Sequence, residues 1–178
     1  MTLPIDPVAF ASEAEEEINR QTNFRGIRRQ VASLPETLRS DRARALFQWW
    51  RDAGAPAPRS AFDIAAHARS AAHLYLIRRC EPGVFEYRLA GEKAIAIVGR
   101  NGRGHVFDGR EQSYLGNFAR YLEQVAAGRR PWYCVGEIEM AERPALIPFE
   151  SLDCPLIGED GSIAWILGVI EALDEAAP

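Results

Sequence analysis

Long apolar runs are missing from this 178-residue sequence. None approaches the roughly 18–20 consecutive apolar residues that a membrane-spanning helix needs, so no such helix is expected. The opening residues, MTLPIDPVAF, lack a basic start followed by an apolar stretch, so no secretory signal is expected either. Cysteine is scarce: Cys80, Cys134 and Cys154 are an odd number at long spacings, with no CxxC. That argues against a disulfide framework or a cysteine zinc site, and a reducing, cytoplasmic setting fits best. Histidine is sparse too. His67 and His73 miss the i, i+4 spacing that puts two metal ligands on one helix face, and His105 stands apart from both. Positive charge is not in excess; a net charge of −4 argues against a nucleic-acid binder as a whole-chain reading. Scattered histidines and unpaired acids form no catalytic constellation, so no catalytic residue and no metal ligand is assigned and catalysis is not expected.

What is present is the composition of a globular domain, 47% hydrophobic and 26% charged, in a chain long enough for one domain with an appendage. Residues 1–34 read as that appendage, a helical extension and linker. Asp6 can cap a helix with Pro7 at its first position. Residues 11–19 (ASEAEEEIN) are helix-prone, with acids clustered early where the helix dipole favours them. The apolar face of this helix, Val8, Phe10 and Ile18, is thin, so it needs a partner surface. Arg25, Arg28 and Arg29 follow in NFRGIRRQV. They could form a patch for phosphate or an acidic partner, but a charge run usually solvates a face, and the stretch reads as a linker.

Residues 35–53 carry a stronger helical pattern, with Leu38, Ala45, Leu46 and Trp49 at helical spacing and Gly54, Pro56 and Pro58 beyond. Trp49 and Trp50 are adjacent and point about 100° apart on a helix, so one can face a core while the other flanks it. Strand patterns begin at Leu74. LYLIRR and VFEYRLAG flank the turn Glu81-Pro82-Gly83 as a hairpin, with Phe85, Tyr87 and Leu89 on one face. Gly91 ends the second strand, and the short apolar EKAIAIVG should be buried. Gly99, Gly102 and Gly104 then surround Arg100 and Arg103. This spacing is neither GxGxxG nor a Walker loop, so a structural turn is preferred to a phosphate cradle.

Residues 111–128 give the clearest helix, with Tyr114, Leu115, Phe118, Tyr121, Leu122 and Val125 on one stripe and Gly128 and Pro131 as the stop. Such a stripe is more often core than cavity wall. Three strands close the chain: WYCVGEIEM, residues 145–156, and SIAWILGVIEAL after a GEDG turn at 158–161. Residues 163–170 are almost continuously apolar. Both faces of that strand should be covered, one of them by the helix carrying Leu38 and Trp49.

The order of helix, hairpin, short helices, long helix and three antiparallel strands resembles the PAS topology. Separate motifs carry the resemblance further: Trp49 and Trp50 closing a helix, Pro58-Arg59-Ser60, the strand end Tyr87-Arg88-Leu89-Ala90-Gly91, and the glycine-arginine turn at 99–104. Over roughly residues 40–173 they look like the small, often stand-alone bacterial PAS proteins. The resemblance implies an α+β fold: a five-stranded antiparallel sheet of order 2-1-5-4-3 with helices on one face, occupying residues 35–175 after the extension 1–34. It implies a non-catalytic sensory or regulatory domain in signalling, acting through a partner protein. A small apolar or weakly acidic ligand would lie between the 111–128 helix and the sheet. Its wall would include Tyr114, Phe118, Tyr121, Leu122, Cys134, Leu152, Leu156 and Trp165, and Arg88 or Arg100 would hold an acidic group.

The resemblance leaves the cofactor unassigned. Haem-binding members place a histidine on the long helix or close before it, where only His105 stands, and the cysteine motif of light-sensing flavin members is absent. The alternative is a ligand-free docking module, a homodimer through the N-terminal helices or the sheet face. A small α+β enzyme is the third reading. No nucleic acid and no membrane partner is expected.

Overall fold

One sheet runs through the computed structural model, which describes residues 9–10, 13, 17–18, 20–141 and 143–173. Its strands are β1 (Ala9–Phe10), β2 (Phe24–Val31), β3 (Ala57–Pro58), β4 (Leu74–Glu81), β5 (Val84–Ala90), β6 (Val106–Asp108), β7 (Trp132–Ile138), β8 (Ile147–Ile157) and β9 (Ile163–Ala172). Hydrogen-bonded neighbours run β1-β2-β7-β8-β9-β4-β5-β6 in antiparallel pairs, and β3 pairs in parallel with the end of β8. The expected five-stranded sheet is therefore corrected in count and in order. A run β5-β4-β9-β8-β7 forms its middle, but β2 and β1 extend one edge and β6 the other.

The segment expected as a linker is the reason. Residues 24–31 pair along β7, and Phe24 and Ile27 are buried. Their alternation is broken at Gly26, whose φ of +57° sits in a register shift between Arg25 and Arg28. This is a β-bulge, which restores Ile27 and Arg29 to the face that Phe24 occupies. The partner strand makes room for it: a Cβ at Gly136 would stand 2.7 Å from the Arg25 carbonyl oxygen. The helix expected over 11–19, with its Asp6 and Pro7 start, lies largely outside the described residues.

Three α-helices are described: α1 (Asp41–Ala53), α2 (Glu92–Val98) and α3 (Tyr114–Gly128). The first starts later than the pattern from 35 suggested, because Pro35–Thr37 form a separate 3-10 turn. Ser40 is the cap, its Oγ accepting from the Ala43 N–H at 3.1 Å. The buried side of α1 is Ala43, Leu46, Phe47 and Trp50, and Trp50 Nε1–H donates to the Pro155 carbonyl at 2.7 Å. Trp49 is the flanking member of the pair. The Glu150 carboxylate on β8 anchors the entry to α1, accepting from the Arg39 and Ser40 N–H groups at 2.9–3.1 Å.

Successive residues of a strand point to opposite faces, and the two faces carry different cores. Tyr75, Ile77, Phe149, Ile166 and Ile170 pack with α2 and α3. Leu74, Leu76, Leu152, Leu156, Leu167 and Val169 pack with α1. Helices thus cover both faces, which corrects the one-sided arrangement and meets the demand of the apolar run 163–170.

Candidate functional site

On the α2–α3 face the side chains stop short of filling the interior. Residues from β2, β4, β5, β7, β8 and β9, from α2 and α3, and from the turn at 99–104 enclose a cavity of about 60 Å³. That is room for a few water-sized groups at about 10–15 Å³ each. Arg100 is its exposed lining residue, so the opening lies beside the glycine-arginine turn.

One wall is aromatic. Phe118 of α3 stacks with Tyr114 (6.4 Å between ring centres), Phe107 (5.8 Å) and Tyr121 (6.0 Å). The opposite end is polar. Asp153, 1% exposed, accepts from the Tyr75 hydroxyl at Oδ1 and the Tyr121 hydroxyl at Oδ2, both at 2.7 Å. The Arg29 guanidinium lies over the Tyr121 ring, 4.4 Å from its centre, a favourable cation–π placement. Arg29 Nε is buried with no hydrogen-bond partner. Cys134 sits against Arg29 and Ser151.

Burial sets the electrostatics. It raises the Asp153 carboxyl above the ordinary carboxylate value, with the two tyrosine hydrogen bonds and Arg29 pulling the other way. Tyr75 and Tyr121 are pushed well up by burial and then by Asp153. Burial pushes Tyr114 up to about 12 and the Cys134 thiol up to about 11. At Arg29 burial opposes the charge, but Cys134, Tyr121, Tyr114 and Asp153 together outweigh it and hold the pKa above the ordinary value. The cavity therefore contains a fixed cation, neutral phenols and a neutral thiol at neutral pH.

Of the residues singled out in the sequence, Arg100, Tyr114, Phe118, Tyr121 and Cys134 line the cavity. Leu122 is fully buried in the same core but does not reach the opening. Leu152, Leu156 and Trp165 belong to the opposite face, beneath α1. The cause is strand parity: Leu152, Cys154 and Leu156 of β8 face α1, and the cavity receives Phe149, Ser151 and Asp153. Arg88 is exposed and paired with Glu86 at 3.0 Å. It stands at a register shift between β4 and β5, where Leu76 faces Leu89 and Ile77 faces Tyr87. That bulge also parts Leu89 from Phe85 and Tyr87, which were expected on one face. His105 is exposed. Arg29, Tyr75, Tyr87, Ser151 and Asp153 were not anticipated. Two signals existed: an acid inside an apolar strand, and Gly168 inside another, a position that marks close approach.

A family model described as PAS domain matches residues 38–171. Among solved structures, the chain is similar to one described as "Flavin Analogue Sheds Light on Light-Oxygen-Voltage Domain Mechanism", at 11% identity and a TM-score of 0.42, over 63% of this chain and 84% of that one. It is also similar to one described as "Structure of an RNA-binding Light-Oxygen-Voltage Receptor", at 13% identity and a TM-score of 0.41, over 74% of this chain and 44% of that one. No curated protein matches the chain. β2, which supplies Arg29, lies before the matched residues.

Proposed function

Because the chain belongs to the PAS domain family, we propose that it is a sensory or regulatory domain that holds a small ligand in this cavity and signals its occupancy to a partner protein. The observation that supports this reading is the polar end of the cavity. Arg29 and Asp153 stand beside open space, among aromatic rings, in an interior where apolar side chains would be the cheaper filling. Buried ionisable groups are weak evidence for stability, and perturbed ones beside a cavity are candidates for a binding task.

The same groups favour binding over chemistry. Both Asp153 oxygens accept from tyrosine hydroxyls, which ties the carboxyl group to the cavity wall. The raised Cys134 thiol is not a thiolate at neutral pH and so is a poor nucleophile. Among the described residues no group of three or more His, Cys, Asp or Glu side chains is placed to hold a metal ion.

Native mass spectrometry of freshly purified protein, beside an absorbance spectrum, tests the reading. A bound small molecule is expected, and Phe118→Trp, which fills the cavity, is expected to lose it. A wild-type protein with no bound mass, and with a melting temperature that no member of a small-metabolite panel shifts, would overturn ligand binding.

A further inference from the structure

We infer that the cavity selects a small organic monoanion, a carboxylate of about two to four carbons, and that Arg29 is its receptor. This rests on the ligand-binding reading above and adds the chemistry of the ligand. The first support is the hydrogen-bonding capacity left over on the wall. Asp153 has both oxygens occupied by phenol donors. Arg29, which can only donate, has a buried Nε with no partner. The polar end therefore offers a donor and asks for an acceptor.

Charge points the same way. The lining carries two guanidinium groups, Arg29 inside and Arg100 at the opening, against one carboxylate, Asp153. Its phenols and thiol are neutral at neutral pH, so positive charge outnumbers negative whichever form Asp153 takes. Geometry supplies the rest. The Arg29 guanidinium carbon lies 4.4 Å from the centre of the Tyr121 ring, which holds the group beside the cavity, and a guanidinium matches a carboxylate bidentately. A cavity of about 60 Å³ suits a ligand of that size and not a nucleotide or a fatty acid.

Arg29 comes from β2, outside residues 38–171 that match the family. The receptor is thus a property of the strand added by the preceding segment. An anion bound to it would tie β2 more firmly to β7, from which Cys134 faces Arg29 across the pairing.

The test uses the full chain, stripped of small molecules by unfolding and refolding in chloride buffer. Acetate, propionate, lactate and pyruvate are titrated calorimetrically beside acetamide and propionamide at constant ionic strength. Amide hydrogen exchange is followed over residues 24–31. At least one acid is expected to bind saturably and slow exchange in β2, the matching amide is expected not to, and Arg29→Gln is expected to weaken the acid at least about tenfold. Arg29→Lys, which keeps the charge and loses the fork, should fall between. Amides that bind as well as acids, or a folded Arg29→Gln chain that binds acids undiminished, would overturn the anion assignment and leave the cavity reading intact. If no probe binds and native spectra show no bound mass, both readings fall. Should Arg29→Gln fail to fold, the acid-against-amide comparison on the wild-type chain still decides.

Discussion

The Tyr75 hydroxyl reaches Asp153 across an intervening strand, donating from β4 to Oδ1 on β8 at 2.7 Å. Gly168 of β9 is the register partner of both residues and stands between them. The Tyr75 ring crosses the sheet where a side chain is missing. A Cβ at position 168 would lie 2.0 Å from that ring, far inside van der Waals contact. A glycine on one strand thus sets the polar end of the cavity, where Arg29, Tyr75, Cys134, Asp153 and Tyr121 come from four more strands and a helix.

Gly168→Ala is accordingly expected to destabilise the protein by about 1–3 kcal/mol, the range for overpacking a filled interior. It should also break the hydrogen bond to Asp153. Denaturant unfolding of G168A, of Tyr75→Ala and of the double variant checks this. The double variant should lose less than the sum of the singles, because the alanine methyl then enters space the ring has left. Additive losses would show that Gly168 matters for some reason other than passage of the Tyr75 ring.

Asp153 gives the stability a specific pH dependence. Burial raises its carboxyl pKa in the folded state, while the unfolded chain keeps the ordinary value near 4. The folded state therefore holds the proton to higher pH. The contribution of this group is fully present below about pH 4 and is lost as pH rises through the raised folded value. The difference in unfolding free energy between wild type and Asp153→Asn is expected to move against the wild type across that window and then level off. A difference that stays flat, or that moves in favour of the wild type, would mean that the fold stabilises Asp153 as a carboxylate.

Several single elements were readable because their signals are periodic and local. The hairpin at 74–90, the long amphipathic helix and the apolar run of β9 each follow a pattern that burial imposes on sequence. β2 was not, since Gly26 shifts its parity at mid-strand and three arginines make it look like solvent-facing linker. The candidate site was half legible. Tyr114, Phe118 and Tyr121 share one helix face, and spacing alone brings them together. Leu152 and Leu156 were expected to face the ligand because apolar residues are expected inside; with a core on each side of the sheet, that rule does not say which inside. Ser151 and Asp153 of β8 fell on the cavity side, where no rule of burial places them. Asp153 depends on Tyr75, a strand and a half-chain away, and no spacing encodes that.

Glu150 is expected to be worth more to the fold than its single charge suggests. Its carboxylate, 1% exposed, satisfies the backbone N–H groups of Arg39 and Ser40 just ahead of α1. Glu150→Ala leaves the buried Ser40 donor and the part-buried Arg39 donor without this partner, at about 1–3 kcal/mol for a donor that water cannot reach. Glu150→Gln keeps one acceptor oxygen and should recover a good part of the loss. Thermal and denaturant unfolding of the pair distinguishes this from a generic charge effect, in which both variants would lose equally.

Truncation separates a strand from an appendage. A chain of residues 20–178 keeps β2, whose Phe24 ring packs on Phe149 at 5.0 Å and Tyr114 at 5.9 Å. A chain of residues 35–178 loses Phe24 and Ile27 from the core, about 1.5–3 kcal/mol for each buried side chain, and leaves β7 as an unpaired edge that invites association. The longer chain is expected to unfold cooperatively near the full-length midpoint. The shorter one is expected to melt well below it and to aggregate. Equal stability of the two would mean that residues 24–31 are dispensable to the sheet, and that its natural edge is β7.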